Sequence, residues 1–323
     1  MNALVSVVVV NFNGRELTAA CLDSLVRQTY EPTEIIVVDN GSGDGSVEFL
    51  ASRYPSVRLV CLERNLGFAG GCNSGIVAAQ GEYIATLNND ARAEPAWIAE
   101  LVGAIRIDPR IGSVASKLLF AHAPDRINSA GICLDRLGIA WDRSGGAPET
   151  AEADVHEVFG ASAGAALYRR ALFDDIGCFD DDFFMYLEDV DLAWRARLAD
   201  WRSVLAPRAR VYHAHSATAG DLSPFKRYHL GRNKVWLIAK NYPSPYLWLY
   251  LPLIVSYDLA AILSAIFLSR GPRLSPAAEL ARLRGRLDGL LGLGSAFRKR
   301  RAIQARRRIP SAKAIAALEP IPL

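Results

Sequence analysis

Residues with the chemistry of a metal or phosphate site follow an apolar run in "YIATLNNDARAEP", residues 83–95. The run ends at Asn88, Asn89 and Asp90. A short apolar run is typical of a strand covered on both faces, and polar residues at its carboxyl end face the crevice where open α/β sheets bind ligands. A carboxylate with nearby amide oxygens suits a hard cation such as Mg²⁺ or Mn²⁺. The alternative is an ordinary turn, which Asn and Asp also favour.

Acidic residues cluster a second time in "FFMYLEDVDLAWRARL", where Glu188, Asp189 and Asp191 begin a predicted helix. Acidic residues at a helix N-terminus are stabilised by the helix dipole, which would explain them structurally. Three carboxylates within four positions exceed that need, however. Crowded carboxylates raise one another's pKa, and this pattern predicts a general base.

Two histidines, His213 and His215, follow the strand-like "RVYH". Their i, i+2 spacing places both on one face of a strand. Either imidazole could bind a metal, whereas the alternative is a hydrogen-bonded structural histidine. The spacing therefore predicts one metal ligand without deciding which.

Polar residues also end the first two predicted strands, as "NFNG" at 11–14 and "DNGSGDGS" at 39–46. An aspartate at a strand end, followed by glycines, can hydrogen-bond a base or ribose while backbone amides come close. A tight turn with a helix N-cap from Ser46 or Asp44 is the alternative.

The stretch "ERNLGFAGGCNSGI" (63–76) is rich in glycine but contains neither a G-x-G-x-x-G dinucleotide motif nor a P-loop. A glycine-rich helix N-terminus can receive pyrophosphate on its free amides. Close packing of that helix on the sheet explains the same glycines, and both interpretations are compatible.

Strands and helices alternate over the first hundred residues, a pattern that indicates a parallel sheet with helices on both faces. A further strand is predicted over 158–168. The predicted strands before it are 4–10, 34–39, 57–62 and 82–88, and the predicted helices are 16–29, 46–53, 69–80 and 95–108.

Composition sets broad limits on class and compartment. The 323 residues are 51% hydrophobic, enough for one large domain or two smaller ones. A net charge of +3 does not by itself imply a nucleic-acid partner. The five cysteines are widely spaced and form no C-x-x-C pair, as in a protein of a reducing compartment. The N-terminus begins directly on a predicted strand, so secretion is not expected.

The segment 245–268 is nearly all apolar, with Asp258 its single charge. It is long enough to cross a bilayer, but Pro252 and Asp258 interrupt it. We expect it to lie in the membrane interface rather than to span, the alternative being a hydrophobic helix pair packed on the catalytic domain. The basic "FRKRRAIQARRR" that follows suits anionic lipid. Nucleic acid is not expected, because no aromatic residues are interleaved with this cluster.

Taken in order, these motifs resemble the inverting GT-A glycosyltransferases of family 2, in particular the rhamnosyltransferase-like branch. The resemblance covers residues 4 to 240 and includes "FGASAGAALYRR" and the "GRN" at 231–233. It implies an α/β GT-A fold with a mostly parallel central sheet and flanking helices. It also implies a catalytic domain over 1–220, divided near residue 110 into nucleotide and acceptor halves, and a helical membrane-associating region over 221–323.

Members of that family use a divalent metal, Mg²⁺ or Mn²⁺, to move a sugar from a nucleotide-diphosphate donor to an acceptor hydroxyl with inversion. By resemblance, Asp189 is the base that deprotonates the acceptor, with Glu188 as support or second candidate. Asp90 is the metal carboxylate, and His213 or else His215 joins the metal or the diphosphate. The donor-binding residues implied are Asn11, Asp39, Asn40, Arg64, Asn65, Gly67 and Asn89.

Many family members carry two or three acidic residues at the metal motif, whereas this chain has one. A weak site completed by donor phosphates is therefore expected. The resemblance suggests dTDP-L-rhamnose as donor and a polyprenyl-linked or glycan acceptor of cell-envelope or capsule synthesis. It also suggests a location on the cytoplasmic face of the membrane, peripheral or with a short inserted C-terminal helix, and allows a homo-oligomer.

Two other functions fit the same sequence less well. A non-catalytic nucleotide-sugar-binding scaffold would have no need of Asp90 or of the Glu188–Asp189 pair, and all three carboxylates remain. A nucleotidyltransferase usually needs a basic glycine-rich loop near the N-terminus, where this chain offers only Arg15.

Overall fold

The structure is a computed structural model that describes residues 2–149, 154–214, 223–267 and 276–321. Its strands are β1 (Val5–Asn11), β2 (Thr33–Asp39), β3 (Arg58–Cys61), β4 (Tyr83–Leu87), β5 (Ala91–Ala93), β6 (Ile111–Phe120), β7 (Ala123–Ser129), β8 (Ile132–Leu134), β9 (Ala140–Asp142), β10 (His156–Val158), β11 (Ala165–Arg169) and β12 (Arg202–His213). Its helices are α1 (Arg15–Leu25), α2 (Ser46–Arg53), α3 (Gly67–Ala78), α4 (Trp97–Ile105), α5 (Arg170–Ile176), α6 (Glu188–Leu198), α7 (Pro224–Asn241), α8 (Tyr246–Phe267), α9 (Pro276–Leu291), α10 (Leu293–Ala305) and α11 (Ser311–Ala316), with a 3₁₀ turn at Asp181–Phe183.

One large sheet runs in the order β10-β12-β6-β11-β4-β1-β2-β3 and is parallel in its N-terminal half. Strands β1 and β4 are mostly buried and almost entirely apolar, apart from the polar end of β1 and the buried hydroxyls of Ser6 and Thr86, because helices cover both sides of the sheet. The parallel register aligns Asn11 with Asp39, so the polar ends of β1 and β2 lie side by side. The predicted α/β fold with flanking helices is confirmed.

The second half of the sheet is mixed, because β11 is antiparallel to both β4 and β6. The strand predicted over 158–168 is wrong in its extent. It is two short strands, β10 and β11, which pair with different partners and are separated by the turn at 159–164. Small residues in "FGASAG" permit this turn, since a Cβ at Gly160 would collide with Ala193.

The C-terminal helices share a core with α6 and with the small β8–β9 sheet. Leu237 of α7, Tyr242 directly after α7 and Ile254 of α8 pack in one apolar cluster with Trp194 of α6 and Leu134 of β8. In the part of the chain that the structure describes, no helix is both long enough and apolar enough to cross a membrane.

Candidate active site

A cavity of about 480 Å³ opens at the carboxyl ends of β1, β2 and β4. This is where open α/β sheets bind ligands, since the helices after these strands diverge there. Residues of the predicted metal, donor and base groups share its lining, together with residues of β7, of the β8–β9 hairpin and of α7. The lining residues include Asn40, Asn65, Gly67, Asn88, Asn89, Asp90, Asn128, Trp141, Tyr186, Glu188, Asp189, His213, Lys226 and Leu230.

Asp90 and His213 meet at the floor of this cavity, with Asp90 Oδ1 3.1 Å from His213 Nε2. The antiparallel pairing of β12 with β5 brings them together, because it aligns His213 with Ala91. On the other side of the ring, Nδ1 lies 2.8 Å from the amide oxygen of Asn128. That oxygen can only accept, so Nδ1 carries the proton and the lone pair of a neutral ring is on Nε2.

These two groups suit a divalent cation as far as their chemistry goes. A carboxylate oxygen and an imidazole lone pair converge, and Asn128 fixes the tautomer as outer partners of metal-binding histidines commonly do. Among the described residues, no group of three or more His, Cys, Asp or Glu side chains could hold a metal. A cation here would therefore take the rest of its ligands from a bound phosphate or from water. His215 lies outside the described residues.

Asn11 is buried and ties together the ends of three strands. Its amide nitrogen donates to Asp39 Oδ1 at 2.8 Å, and its oxygen accepts from the Thr18 hydroxyl at 2.8 Å. Asn89 Nδ2 lies 3.3 Å from the same Thr18 hydroxyl, and Asp39 Oδ2 accepts from the backbone of Ser42. The structure thus places Asn11 and Asp39 beneath the surface, outside the cavity lining, where they hold the loops after β1 and β2.

The loop before α3 is held by Asn40 rather than left with free amides. Asn40 Oδ1 accepts from the backbone of Leu66 at 2.9 Å, and its Nδ2 donates to Asn65 Oδ1 at 3.0 Å. Asn65 Oδ1 also accepts from the backbone of Gly67 at 2.8 Å. Gly67 has a φ of +74°, and a Cβ there would collide with Phe184. The glycine therefore allows the start of α3 to touch the loop before α6.

Arg64, which the resemblance places beside the nucleotide, is exposed and does not line the cavity. Its backbone passes close to Gly41, where a Cβ would lie 2.8 Å from the Arg64 Cα. Gly41 also has a φ of +79°. The turn after β2 therefore requires glycine both for this positive φ and for the close approach of the Arg64 backbone.

Asp189 lines the cavity at the start of α6. Burial raises its pKa to about 6, although the backbone amides of Ala163 and Val190 donate to its carboxylate. Glu188 is 5% exposed, and its Oε2 has no hydrogen-bond partner. Burial, reinforced by the charge of Asp189, raises the pKa of Glu188 well above its ordinary value. Burial thus makes both carboxyl groups harder to ionise than ordinary carboxyl side chains.

Asp191, the third carboxylate of the cluster, is fully buried and serves the structure. Burial alone would raise its pKa, but Lys240 and Arg195 hold the pKa well below its usual range. Arg195 Nε and Lys240 Nζ each lie 2.8 Å from its oxygens, and Asn241 donates to it at 2.7 Å. Asp191 therefore anchors α6 to α7.

The loop before α6 is clamped by Asn233, a residue to which the sequence analysis gave no role. Its buried amide nitrogen donates to the carbonyls of Phe183, Met185 and Tyr186 at 3.0, 2.9 and 2.7 Å. Tyr186 and Leu187 have positive φ, so this loop needs such support to hold its shape. The sequence feature that could have indicated Asn233 is the "GRN" at 231–233, which is part of the family resemblance.

Polar and aromatic side chains from β7, from the β8–β9 hairpin, from the loop before α6 and from α7 complete the cavity wall. Trp141 stands exposed on the β8–β9 hairpin, and Lys226 Nζ lies 5.5 Å from the centroid of the Tyr186 ring. Asn128 lies on β7, in a stretch where the sequence shows no regular pattern. Tyr186 belongs to the acidic motif before α6, whereas nothing local in the sequence indicated Asn128, Trp141 or Lys226.

A model of glycosyl transferase family 2 matches residues 6–177, which include β1 to β11. The fold, the cavity at the strand ends and this match together show that the chain belongs to glycosyl transferase family 2. It is accordingly a glycosyltransferase of GT-A fold, as the motifs predicted.

Curated relatives extend the match beyond that model. The chain is 30% identical over 256 residues to the N-acetylglucosaminyl-diphospho-decaprenol L-rhamnosyltransferase of Mycobacterium tuberculosis, covering 71% of this chain and 82% of the relative. It is 29% identical over 262 residues to the O-antigen biosynthesis protein RfbC of Myxococcus xanthus, covering 75% of this chain and 20% of that protein.

Solved structures support the same fold. The mannosyltransferase PcManGT from Pyrobaculum calidifontis, in complex with GDP-Man and Mn²⁺, aligns with a TM-score of 0.55 at 21% identity, covering 98% of this chain and 87% of its own. GalNAc-T7 with UDP, GalNAc and Mn²⁺ aligns with a TM-score of 0.56 at 17% identity, covering 89% and 55%.

Proposed function

We propose that this protein transfers a sugar, L-rhamnose by preference, from a nucleoside-diphosphate donor to a hydroxyl of a lipid-linked or polysaccharide acceptor, with inversion. The observation that carries the proposal is the sharing of one cavity by two groups. One is the Asp90–His213 pair, and the other is Asp189, a carboxylate whose pKa is raised to about 6.

Asp189 accepts the acceptor's proton as the acceptor oxygen attacks the anomeric carbon. A raised pKa makes its carboxylate a stronger base while leaving it ionised near neutral pH. Burial and the charge of Asp189 disfavour ionisation of Glu188 beside it, which limits the build-up of a second negative charge near the reacting atoms. The attack displaces the diphosphate directly, so inversion needs no covalent glycosyl intermediate.

The leaving diphosphate gains negative charge as the glycosyl bond breaks. A divalent cation, Mg²⁺ or Mn²⁺, held by Asp90 and His213 would supply positive charge to that diphosphate. Asn128 orients His213 for this role, and Asn40 with Asn65 shapes the loop that borders the donor. The Mn²⁺ present with donor or nucleotide in the two solved neighbours supports a divalent metal.

Donor and acceptor preference rest on the relatives. The mycobacterial relative is named for L-rhamnose transfer to a decaprenyl-diphosphate acceptor, and the Myxococcus relative for O-antigen biosynthesis. We accordingly assign dTDP-L-rhamnose as donor and a polyprenyl-linked or glycan acceptor, at the cytoplasmic face of the membrane.

The test incubates the full-length protein with dTDP-L-rhamnose, a polyprenyl-diphosphate N-acetylglucosamine acceptor and Mn²⁺ or Mg²⁺. We expect release of dTDP and a product heavier by one deoxyhexose, both lost in Asp189→Asn. UDP- and GDP-sugars are tested under the same conditions as alternative donors. Transfer from one of those instead would correct the donor while leaving the reaction class intact.

Two outcomes would remove the proposal. The non-catalytic scaffold would be favoured if the protein binds nucleotide sugar but shows neither sugar transfer nor slow donor hydrolysis with any donor and metal tested. Release of pyrophosphate from a nucleoside triphosphate would indicate a nucleotidyltransferase.

A further inference from the structure

Helix α8 presents a broad uncharged face to the outside. Its inner positions, such as Leu247, Ile254 and Asp258, follow a single helical stripe toward α7. The outer face includes Trp248 at 63% and Leu249 at 68% exposure. Leu253, Val255 and Leu259 extend the exposed apolar surface along the helix.

The only charge in this apolar segment points inward. Asp258 Oδ1 lies 2.7 Å from Lys234 Nζ of α7 and 2.7 Å from Arg286 Nη2 of α9. The carboxylate is therefore neutralised within the protein. Covering the outer face of α8 with an apolar medium would not bury an unpaired charge.

Helix α9 continues the same kind of surface. Leu280, Leu287 and Leu291 are exposed on one face, Leu291 at 85%, and Arg284 lies among them. The opposite face approaches α7 closely, since a Cβ at Gly285 would collide with the Tyr228 carbonyl. We call the exposed residues Trp248, Leu249, Leu253, Leu280, Arg284, Leu287 and Leu291 the α8–α9 face.

We infer that the α8–α9 face binds the surface of an anionic lipid bilayer and lies in the interface without spanning it. Large exposed apolar patches mark protein or membrane contacts, and a tryptophan suits the headgroup region. The exposed described residues of α8 and α9 include no acidic side chain, and Arg284 complements anionic headgroups.

A second copy of the chain is the competing occupant. An isologous dimer through this face would bury the Arg284 side chain of each copy in one apolar interface. The exposed described residues of the two helices offer no acidic partner for either arginine. At a lipid surface the arginine can instead extend to the headgroups while its stem stays on apolar surface.

Helix α7 connects this face to the active site. Lys226 and Leu230 line the cavity, and the next residue, Gly231, passes so close to α9 that a Cβ would collide with the Arg282 carbonyl. Lipid contact would hold the cavity near the bilayer. This inference deepens the membrane location in the proposed function by naming the surface that makes the contact, and its test does not depend on sugar transfer.

The test is co-sedimentation of the full-length protein with sucrose-loaded vesicles of phosphatidylcholine, with and without phosphatidylglycerol, in the absence of any donor or acceptor. Since burial of one leucine changes an equilibrium constant by about tenfold, Leu249→Gln and Leu291→Gln should each weaken binding by about that factor. Val77→Gln is the matched control, because Val77 is equally exposed on α3.

Arg284→Gln should weaken binding about fivefold on phosphatidylglycerol vesicles and not on pure phosphatidylcholine. Arg27→Gln, on the exposed turn after α1, is its control. The inference is overturned if wild type binds neither vesicle, or if Val77→Gln weakens binding as much as the two leucine variants. It is also overturned if sedimentation velocity without lipid shows a dimer that Leu249→Gln dissociates. Circular dichroism confirms that each variant is folded.

Discussion

His213 Nε2 lies 3.1 Å from Asp90 Oδ1, and both atoms carry a lone pair when the imidazole is neutral. The proton of that ring is on Nδ1, which donates to Asn128. The Asn88 amide nitrogen also lies 3.2 Å from Nε2, so an amide donor and a carboxylate acceptor both face this lone pair. A cation bound at Nε2 would therefore replace the Asn88 contact.

Removing either member of this pair should abolish the metal dependence of nucleotide binding. His213→Ala and Asp90→Asn each delete one ligand, and Asn128→Leu should weaken Mn²⁺ affinity by about 10- to 100-fold through loss of ring orientation. Calorimetric titration of dTDP with and without Mn²⁺ measures this. The exposed His122→Ala variant should match wild type. If dTDP binding still depends on Mn²⁺ in both His213→Ala and Asp90→Asn, this metal site is ruled out.

The two adjacent carboxyl groups of α6 should respond differently to isosteric change. Asp189→Asn removes the base and should lower kcat by about 10²- to 10⁴-fold. Burial and the charge of Asp189 disfavour the ionised form of Glu188, so the neutral, isosteric Glu188→Gln should lower kcat by less than about tenfold. The two variants are compared by their single-turnover rates at saturating donor concentration. A larger loss in Glu188→Gln than in Asp189→Asn would exchange the two roles.

The pH profile should report Asp189 directly. Because burial raises its pKa to about 6, kcat/KM should fall as pH drops through about 6. The folded state binds this proton more tightly than the unfolded state does, so the unfavourable contribution of Asp189 to stability grows as pH rises from 4 to 7. Asp189→Asn should then raise Tm at pH 8 and change it little at pH 4. A profile flat down to pH 4.5 would contradict the assignment.

Asn233→Ala should loosen the loop before α6 and lower the free energy of unfolding by about 2–4 kcal/mol, since three carbonyls lose a buried donor. Asn233 is a positioning residue, so kcat should fall while dTDP affinity stays near wild type. Urea unfolding and nucleotide titration separate the two effects. Asn2→Ala, at an exposed site, should change stability by less than about 0.5 kcal/mol. Equal losses of kcat and of dTDP binding would indicate general unfolding instead.

Lys240→Met should destabilise the protein by about 3–5 kcal/mol at pH 7, because it leaves Asp191 and Asp180 short of a buried partner. The pKa of Asp191 is lowered, so its contribution is present above the unfolded carboxyl's pKa and is lost as pH falls through the folded value. The acid-unfolding midpoint of the variant should therefore move to higher pH. Lys313→Met, which breaks an exposed pair with Asp200, should cost less than about 1 kcal/mol. Similar losses in both variants would contradict the buried network.

Local sequence patterns were sufficient for the N-terminal half of the fold. Apolar runs, their polar ends and the intervening helices are short-range features, and the structure has β1, β2, β4 and α2 close to where they were predicted. The same patterns failed for 158–168, because small apolar residues fit both a strand and a tight turn. Pairing of β10 and β11 with different strands then decided the outcome.

The sequence by itself determined the family, the order of the elements and the residue types available at the strand ends. Tertiary structure alone decided which of them meet. The register of β12 against β5 joins His213 to Asp90, and the contact of α7 with α6 makes Asp191 structural while Asp189 faces the cavity. The inward pairing of Asp258 likewise leaves α8 with an uncharged outer face. These are contacts between distant segments, and periodicity along one segment carries no information about the partner across the contact.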